Sequence, residues 1–189
     1  MKKHVYIVHG GYASPTKHWF PWLKEKVRAD GHQASVLRMP NSSDAKKEEW
    51  VGALADEIKF LDPDTYFVTH SLACMTLLNY LDGLDSLTNV GGFILVSGYA
   101  EPLAAFPTLD PFTAKKVDHR KIISATASRA VKAAKDDYMC PFELTMKLSE
   151  QLDASFYPVE NGGHFRDVDG FVTFPLVYAI LNEMMNVEQ

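Results

Sequence analysis

Thr65-Tyr66-Phe67-Val68-Thr69-His70-Ser71-Leu72-Ala73 is the stretch on which the fold turns. Its β-branched and aromatic first half reads as a strand. Leu72 then opens a run to Leu81 that is apolar nearly all round, which suits a helix buried against a sheet. Ser71 falls in the tight turn between them. A strand, a sharp turn holding serine and an immediate helix form the context of a G-x-S-x-G nucleophile elbow. Such a turn lifts the serine Oγ clear of the sheet edge. The amide of the next residue, here Leu72, faces the place where an oxyanion would form, at a helix N-terminus. Thr69 and Ala73 stand where the two glycines would be, and both are small. By itself the pattern describes equally well a serine that caps a buried helix.

Outward from this segment, strand-like runs alternate with helical ones. Strands are expected at 4–8, 34–38, 65–69, 93–97, 129–135 and 155–159. Helices are expected at 19–30, closed by Gly31, at 46–61, with N-cap chemistry from Asn41-Ser42-Ser43-Asp44, and at 72–81. Three more fall at 121–128, at 142–152 behind Pro141, and at 171–185 with Pro175 in its first turns. The run 129–135 is weak by propensity, because alanine and lysine are poor strand formers. Strands alternating with helices imply an α/β domain, a mostly parallel sheet wrapped on both faces. In such sheets the ligand crevice lies beyond the strand carboxyl ends, at the switch point of strand order. The stretch 98–118 breaks the rhythm, with Pro102, Pro107 and Pro111 among Tyr99, Leu103, Phe106, Leu109 and Phe112. We read it as a cap-like insertion over a pocket, with Phe106, Leu109 and Phe112 in the pocket wall. An irregular surface excursion packed by its own side chains is the other reading.

The chemistry-bearing residues follow strands. His9-Gly10-Gly11-Tyr12 comes after the first, and with strand order 2-1-3-4-5-6 this loop lies beside Ser71. Gly11 or Tyr12 could then donate the second oxyanion amide. The alternative is a glycine turn that merely joins strand to helix. His9 itself reads as a packed, hydrogen-bonded structural histidine and not as a base. Asp136-Asp137 follows the fifth strand, and Asp137, four residues before Pro141, is preferred as the acid that orients a histidine. Asn161-Gly162-Gly163-His164 follows the sixth, where paired glycines let the chain aim His164 back over the sheet. The order Ser…Asp…His on successive post-strand loops matches the α/β-hydrolase triad. Cys74 reads as core, and Cys140 as a much weaker candidate nucleophile.

Composition removes other classes. The 189 residues suit one domain, 1–189, and a formal net charge of −5 leaves no electrostatic footprint for nucleic acid or an anionic membrane. No apolar run approaches the ~20 residues of a membrane span. The apolar stretch after Lys2-Lys3 is too short for a signal-peptide core. Cys74 and Cys140 form no CxxC or zinc spacing, so a reduced cytoplasmic setting is expected. HExxH, GxGxxG and GxxxxGK are absent, so no metal, nucleotide or other cofactor is expected. The expected partner is a small acyl substrate, and the oligomeric state is open.

Together these residues resemble a known group, the small serine-hydrolase family that includes bacterial YdeN and the human retinoblastoma-binding serine hydrolase. The resemblance runs along nearly the whole chain. It rests on Val5-Tyr6-Ile7-Val8-His9-Gly10, on His18 to Lys24, on Met39-Pro40-Asn41 and on His70-Ser71-Leu72. It continues through Ile94-Leu95-Val96-Ser97-Gly98, Asp118-His119 with Lys121-Ile122-Ile123, Lys135-Asp136-Asp137 and Gly162-Gly163-His164-Phe165. It implies a reduced α/β-hydrolase fold with six parallel strands, and a triad of Ser71, Asp137 and His164. The implied activity is that of a serine hydrolase, of carboxylesterase type, cleaving a small ester, thioester or amide through an acyl-enzyme. Thr69 and Ala73, and Met139-Cys140 in place of an aliphatic pair, depart from the family pattern. The altered elbow also admits a weakly active or inactive binding or regulatory protein that keeps the fold.

Overall fold

The computed structural model describes residues 2–86 and 89–186. The order of elements is β1 (His4–Val8), α1 (Phe20–Ala29), β2 (Gln33–Leu37), α2 (Lys47–Glu57), β3 (Thr65–His70), α3 (Leu72–Gly83) and β4 (Gly92–Val96), followed by α4 (His119–Ala125), β5 (Arg129–Ala134), α5 (Phe142–Gln151), β6 (Ser155–Val159) and α6 (Pro175–Asn186). The six strands form one sheet in the order β2-β1-β3-β4-β5-β6, and every pairing is parallel.

Side-chain alternation along the strands makes two cores. Tyr6, Val8, Phe67, Phe93, Leu95 and Val131 face one side, packed with Trp50 and Leu54 of α2, the apolar length of α3, Ile122 of α4 and Leu148 of α5. Val5, Ile7, Val68, Ile94, Val96 and Ala130 face the other, against Phe20, Leu23 and Val27 of α1 and Val177, Ile180 and Leu181 of α6. A period of two is what a strand buried on both faces requires. All ten residues from Leu72 to Leu81 are buried, in keeping with the all-round apolar character of that run.

The weak strand 129–135 forms because both its neighbours hydrogen-bond to it, an override of local propensity by tertiary pairing. Pro158 is tolerated in β6 because that strand lies at the sheet edge.

Three local expectations are corrected. The helix after Asn41 begins at Lys47, with Lys46 at its N-cap position and no side-chain cap bond. The four polar residues instead form a turn, in which Ser42 donates to the carbonyl of Ala13 (2.9 Å). That helix ends at Glu57, four residues short of the expected boundary. The closing helix starts at Pro175, whose fixed φ and missing N–H suit a first turn, and a short 3-10 turn, Asp167–Asp169, precedes it.

Candidate active site

The loops leaving the carboxyl ends of β1, β3, β5 and β6 meet above the sheet. Ser71, between β3 and α3, has φ 56° and ψ −123°. That conformation costs a non-glycine residue roughly 1–3 kcal/mol, which the flanking elements must hold. They do so directly: the Ser71 amide donates to the carbonyl of Val96 (2.8 Å), the next strand of the sheet. The β1 loop presses against the elbow. A Cβ on Gly10 would stand 3.0 Å from both the His70 carbonyl oxygen and the Ser71 Cβ, so only glycine admits this approach without a shift. Thr69 and Ala73 are both fully buried, and the Thr69 hydroxyl donates to Cys74 Sγ (3.2 Å). The departures from glycine therefore coexist with the strained turn.

His164 and Asp137 meet on the adjoining loops. Asp137 Oδ2 lies 2.9 Å and Oδ1 3.0 Å from His164 Nδ1. Their side chains are 2% and 3% exposed respectively. The carboxylate also accepts from the Ser97 hydroxyl (2.7 Å) and from the amides of Met139 and Cys140 (both 2.9 Å). Burial alone would raise the Asp137 pKa. The bond and charge of His164, with the Cys140 amide and Ser97, outweigh it and hold the carboxyl below its ordinary value. A carboxylate so placed fixes the imidazole with its proton on Nδ1 and its lone pair on Nε2.

Ser71 and His164 line one cavity of about 340 Å³. This is at the small end of the ~300–1,000 Å³ range of small-molecule sites. Leu72, Gly11 and Tyr12 line it too, as do Leu103, Phe106 and Leu109 from the segment after β4. Two expectations are corrected here. The Tyr12 amide donates to the carbonyl of Ser42 (2.7 Å), which leaves Gly11 as the candidate second oxyanion donor beside Leu72. Phe112 is not in the pocket wall. It is 1% exposed in the core, edge-on to Trp50 (6.1 Å between centroids), and its carbonyl accepts from Asn79 (2.9 Å). An apolar side chain at the end of the 3-10 turn Pro107–Phe112 gains more from facing α3 than from facing the pocket.

The sequence profile of the serine hydrolase family matches residues 5–183. The chain belongs to the serine hydrolase family.

YdeN of Bacillus subtilis (strain 168) is 45% identical over 188 residues, covering 100% of this serine hydrolase and 99% of YdeN. The solved structure of the ydeN gene product superposes with a TM-score of 0.94 over 97% of this chain and 98% of that one. The serine hydrolase RBBP9 of Rattus norvegicus is 22% identical over 175 residues, 92% of this chain and 91% of RBBP9. Est1E from Butyrivibrio proteoclasticus, at 14% identity and a TM-score of 0.70 over 97% of this chain and 88% of that one, shares the fold.

Several residues that hold the site together in this serine hydrolase escaped sequence reasoning. Asp136 is the partner of the glycine turn: its Oδ1 accepts from the amides of Gly162 (2.8 Å) and Gly163 (2.9 Å). Asp169 accepts from the amides of His164 and Arg166 (both 3.1 Å). His70 donates from Nε2 to the carbonyl of His164 (2.8 Å), and its Nδ1 has no partner among the described residues. The bonds of Asp136 and His70 depend on how two loops face each other, which spacing along one loop does not reveal, and those of Asp169 close the turn after His164 on itself. His9 is the structural histidine expected: Nδ1 bonds the Gly10 carbonyl (2.8 Å) and Nε2 accepts from the Met39 amide (3.0 Å). Cys74 and Cys140 are free and buried, and burial pushes both thiols up to about 12. At neutral pH such thiols are almost wholly protonated and unfit as nucleophiles. Among the described residues no cluster of metal-ligating side chains occurs. No helix among them is long and apolar enough to cross a membrane.

The buried histidines make stability depend on pH. Burial lowers the pKa of His9, His18 and His70, the last well below its ordinary value. The unfolded chain, with imidazoles near ~6.5, therefore binds more protons than the folded one as pH falls through that region. Stability should drop as pH falls below about 6.5, before any carboxylate titrates. The lowered Asp137 adds stability above about 4, the unfolded carboxyl value, which is lost as pH falls toward its folded one. Melting temperature is expected to be lower at pH 5 than at pH 7.5, and an unchanged value would contradict this account of the histidines.

Proposed function

We propose that the protein is a serine esterase that cleaves small acyl substrates through an acyl-enzyme on Ser71. His164 Nε2 takes the Ser71 proton as Oγ bonds to the carbonyl carbon, and the carbonyl electrons move onto oxygen. The amides of Leu72 and Gly11 bind that oxyanion. On collapse the bond to the leaving group breaks, and His164 returns the proton to the departing oxygen. Water then repeats the sequence on the acyl-Ser71 ester, releasing the acid and the free hydroxyl. Asp137 holds the required tautomer throughout and stabilises the imidazolium.

The observation that carries this reading is the 2.9 Å bond from His164 Nδ1 to a buried Asp137, on the same cavity as a serine at φ 56°. Leu103, Phe106 and Leu109 favour a short apolar acyl group. The two free, buried thiols fit a reducing, cytoplasmic setting. A fluorophosphonate probe tests the proposal, because it phosphonylates an activated serine. Stoichiometric labelling is expected, together with hydrolysis of short-chain 4-nitrophenyl esters. A folded protein that resists the probe and hydrolyses no ester would favour a binding or regulatory role.

A further inference from the structure

We propose that Arg166 reads a carboxylate on the leaving-group side of the substrate. The inference rests on the assignment of Ser71, Asp137 and His164 as the triad, and deepens it by naming a substrate class. In acyl transfer the histidine protonates the departing oxygen, so the leaving group must lie against the imidazole. Arg166 follows His164 by two residues on the same turn and lines the same cavity. The apolar Leu103, Phe106 and Leu109 come from a different segment and are free to take the acyl chain.

The guanidinium makes its hydrogen bonds to a neutral group and only a long ion pair with a carboxylate. Its Nε (3.2 Å) and Nη2 (2.6 Å) both donate to the Tyr138 hydroxyl, and its carbon stands 5.4 Å from the Tyr138 ring centre. These are contacts with an uncharged phenol. The nearest carboxylate, Asp169, lies 3.9 Å from Nε and is already shared among the amides of His164 and Arg166 and the Tyr138 hydroxyl. Nη1 has no hydrogen bond to the described residues, so the Nη1–Nη2 edge presents the planar fork that a carboxylate accepts bidentately. Asp44, the other charged side chain on the cavity, is an exposed residue paired with Lys46 (2.7 Å). The alternative role for Arg166 is purely structural, as a clamp that keeps Tyr138 and the His164 turn in place.

The test compares 4-carboxyphenyl butyrate with its uncharged analogue 4-carbamoylphenyl butyrate, in wild type and Arg166→Gln. A charge-assisted contact predicts that wild type prefers the anionic ester by about 10- to 100-fold in kcat/KM. It also predicts that Arg166→Gln loses the preference. Equal specificity in wild type, or a variant that slows both esters equally, would overturn the inference and leave Arg166 a clamp. A measurement in wild type alone guards against a variant that misfolds. 4-Hydroxybenzoate should protect Ser71 from the fluorophosphonate at lower concentration than 4-hydroxybenzamide, and equal protection would again count against the proposal. If neither ester turns over and no label is taken up, the hydrolase reading itself fails and this inference with it.

Discussion

Ser71→Ala is expected to lower kcat toward short-chain esters by about 10⁵- to 10⁶-fold, while leaving the fold intact. Without Oγ no acyl-enzyme can form, and only the oxyanion amides and substrate binding remain to accelerate attack by water. Neither buried cysteine can substitute, since burial has pushed both thiols up to about 12. The backbone strain at φ 56° is the same for alanine as for serine, so melting temperature should change little. Steady-state kinetics beside a thermal melt would check this. A folded variant retaining more than about one percent of activity would place the nucleophile elsewhere.

The second large effect falls on the acid. Asp137→Asn is expected to cost about 10⁴-fold in kcat, because an amide nitrogen facing Nδ1 would favour the wrong imidazole tautomer. Asp136→Asn should cost far less, within about tenfold, because an asparagine Oδ1 can still accept from the amides of Gly162 and Gly163. Measured side by side, the two variants separate the orienting acid from the residue that braces the turn. If Asp136→Asn abolished turnover and Asp137→Asn did not, the roles would be reversed.

The parts legible in the sequence were those set by local pattern. The strand–turn–helix at 65–73, the glycine pair before His164 and the alternation of strands and helices each follow from periodicity or turn chemistry within a few residues. Strand β5 was legible only in part, because Arg129–Ala134 becomes a strand through its two neighbours and not through its own propensity. The turn at 41–44 has residues that cap helices well, yet Ser42, Ser43 and Asp44 line the pocket instead and the Ser42 carbonyl engages Tyr12. Phe112 could not be told from Phe106 and Leu109 by residue type, since all three are apolar members of one segment. Which of them face the cavity depends on where the 3-10 turn Pro107–Phe112 lies on α3. The bracing by Asp136, Asp169 and His70 joins residues 26 or more positions apart in two of the three cases, and no motif encodes such a pairing.

The central claim is that loops from β1, β3, β5 and β6 hold a nucleophile, its base, an orienting acid and two oxyanion amides around one small cavity. A crystal structure of the fluorophosphonate adduct tests it most directly. The account predicts phosphorus bonded to Ser71 Oγ, a phosphonyl oxygen within hydrogen-bond reach of the Leu72 and Gly11 amides, and His164 still joined to Asp137. Phosphorus on any other residue, or its oxygen turned away from those two amides, would contradict it.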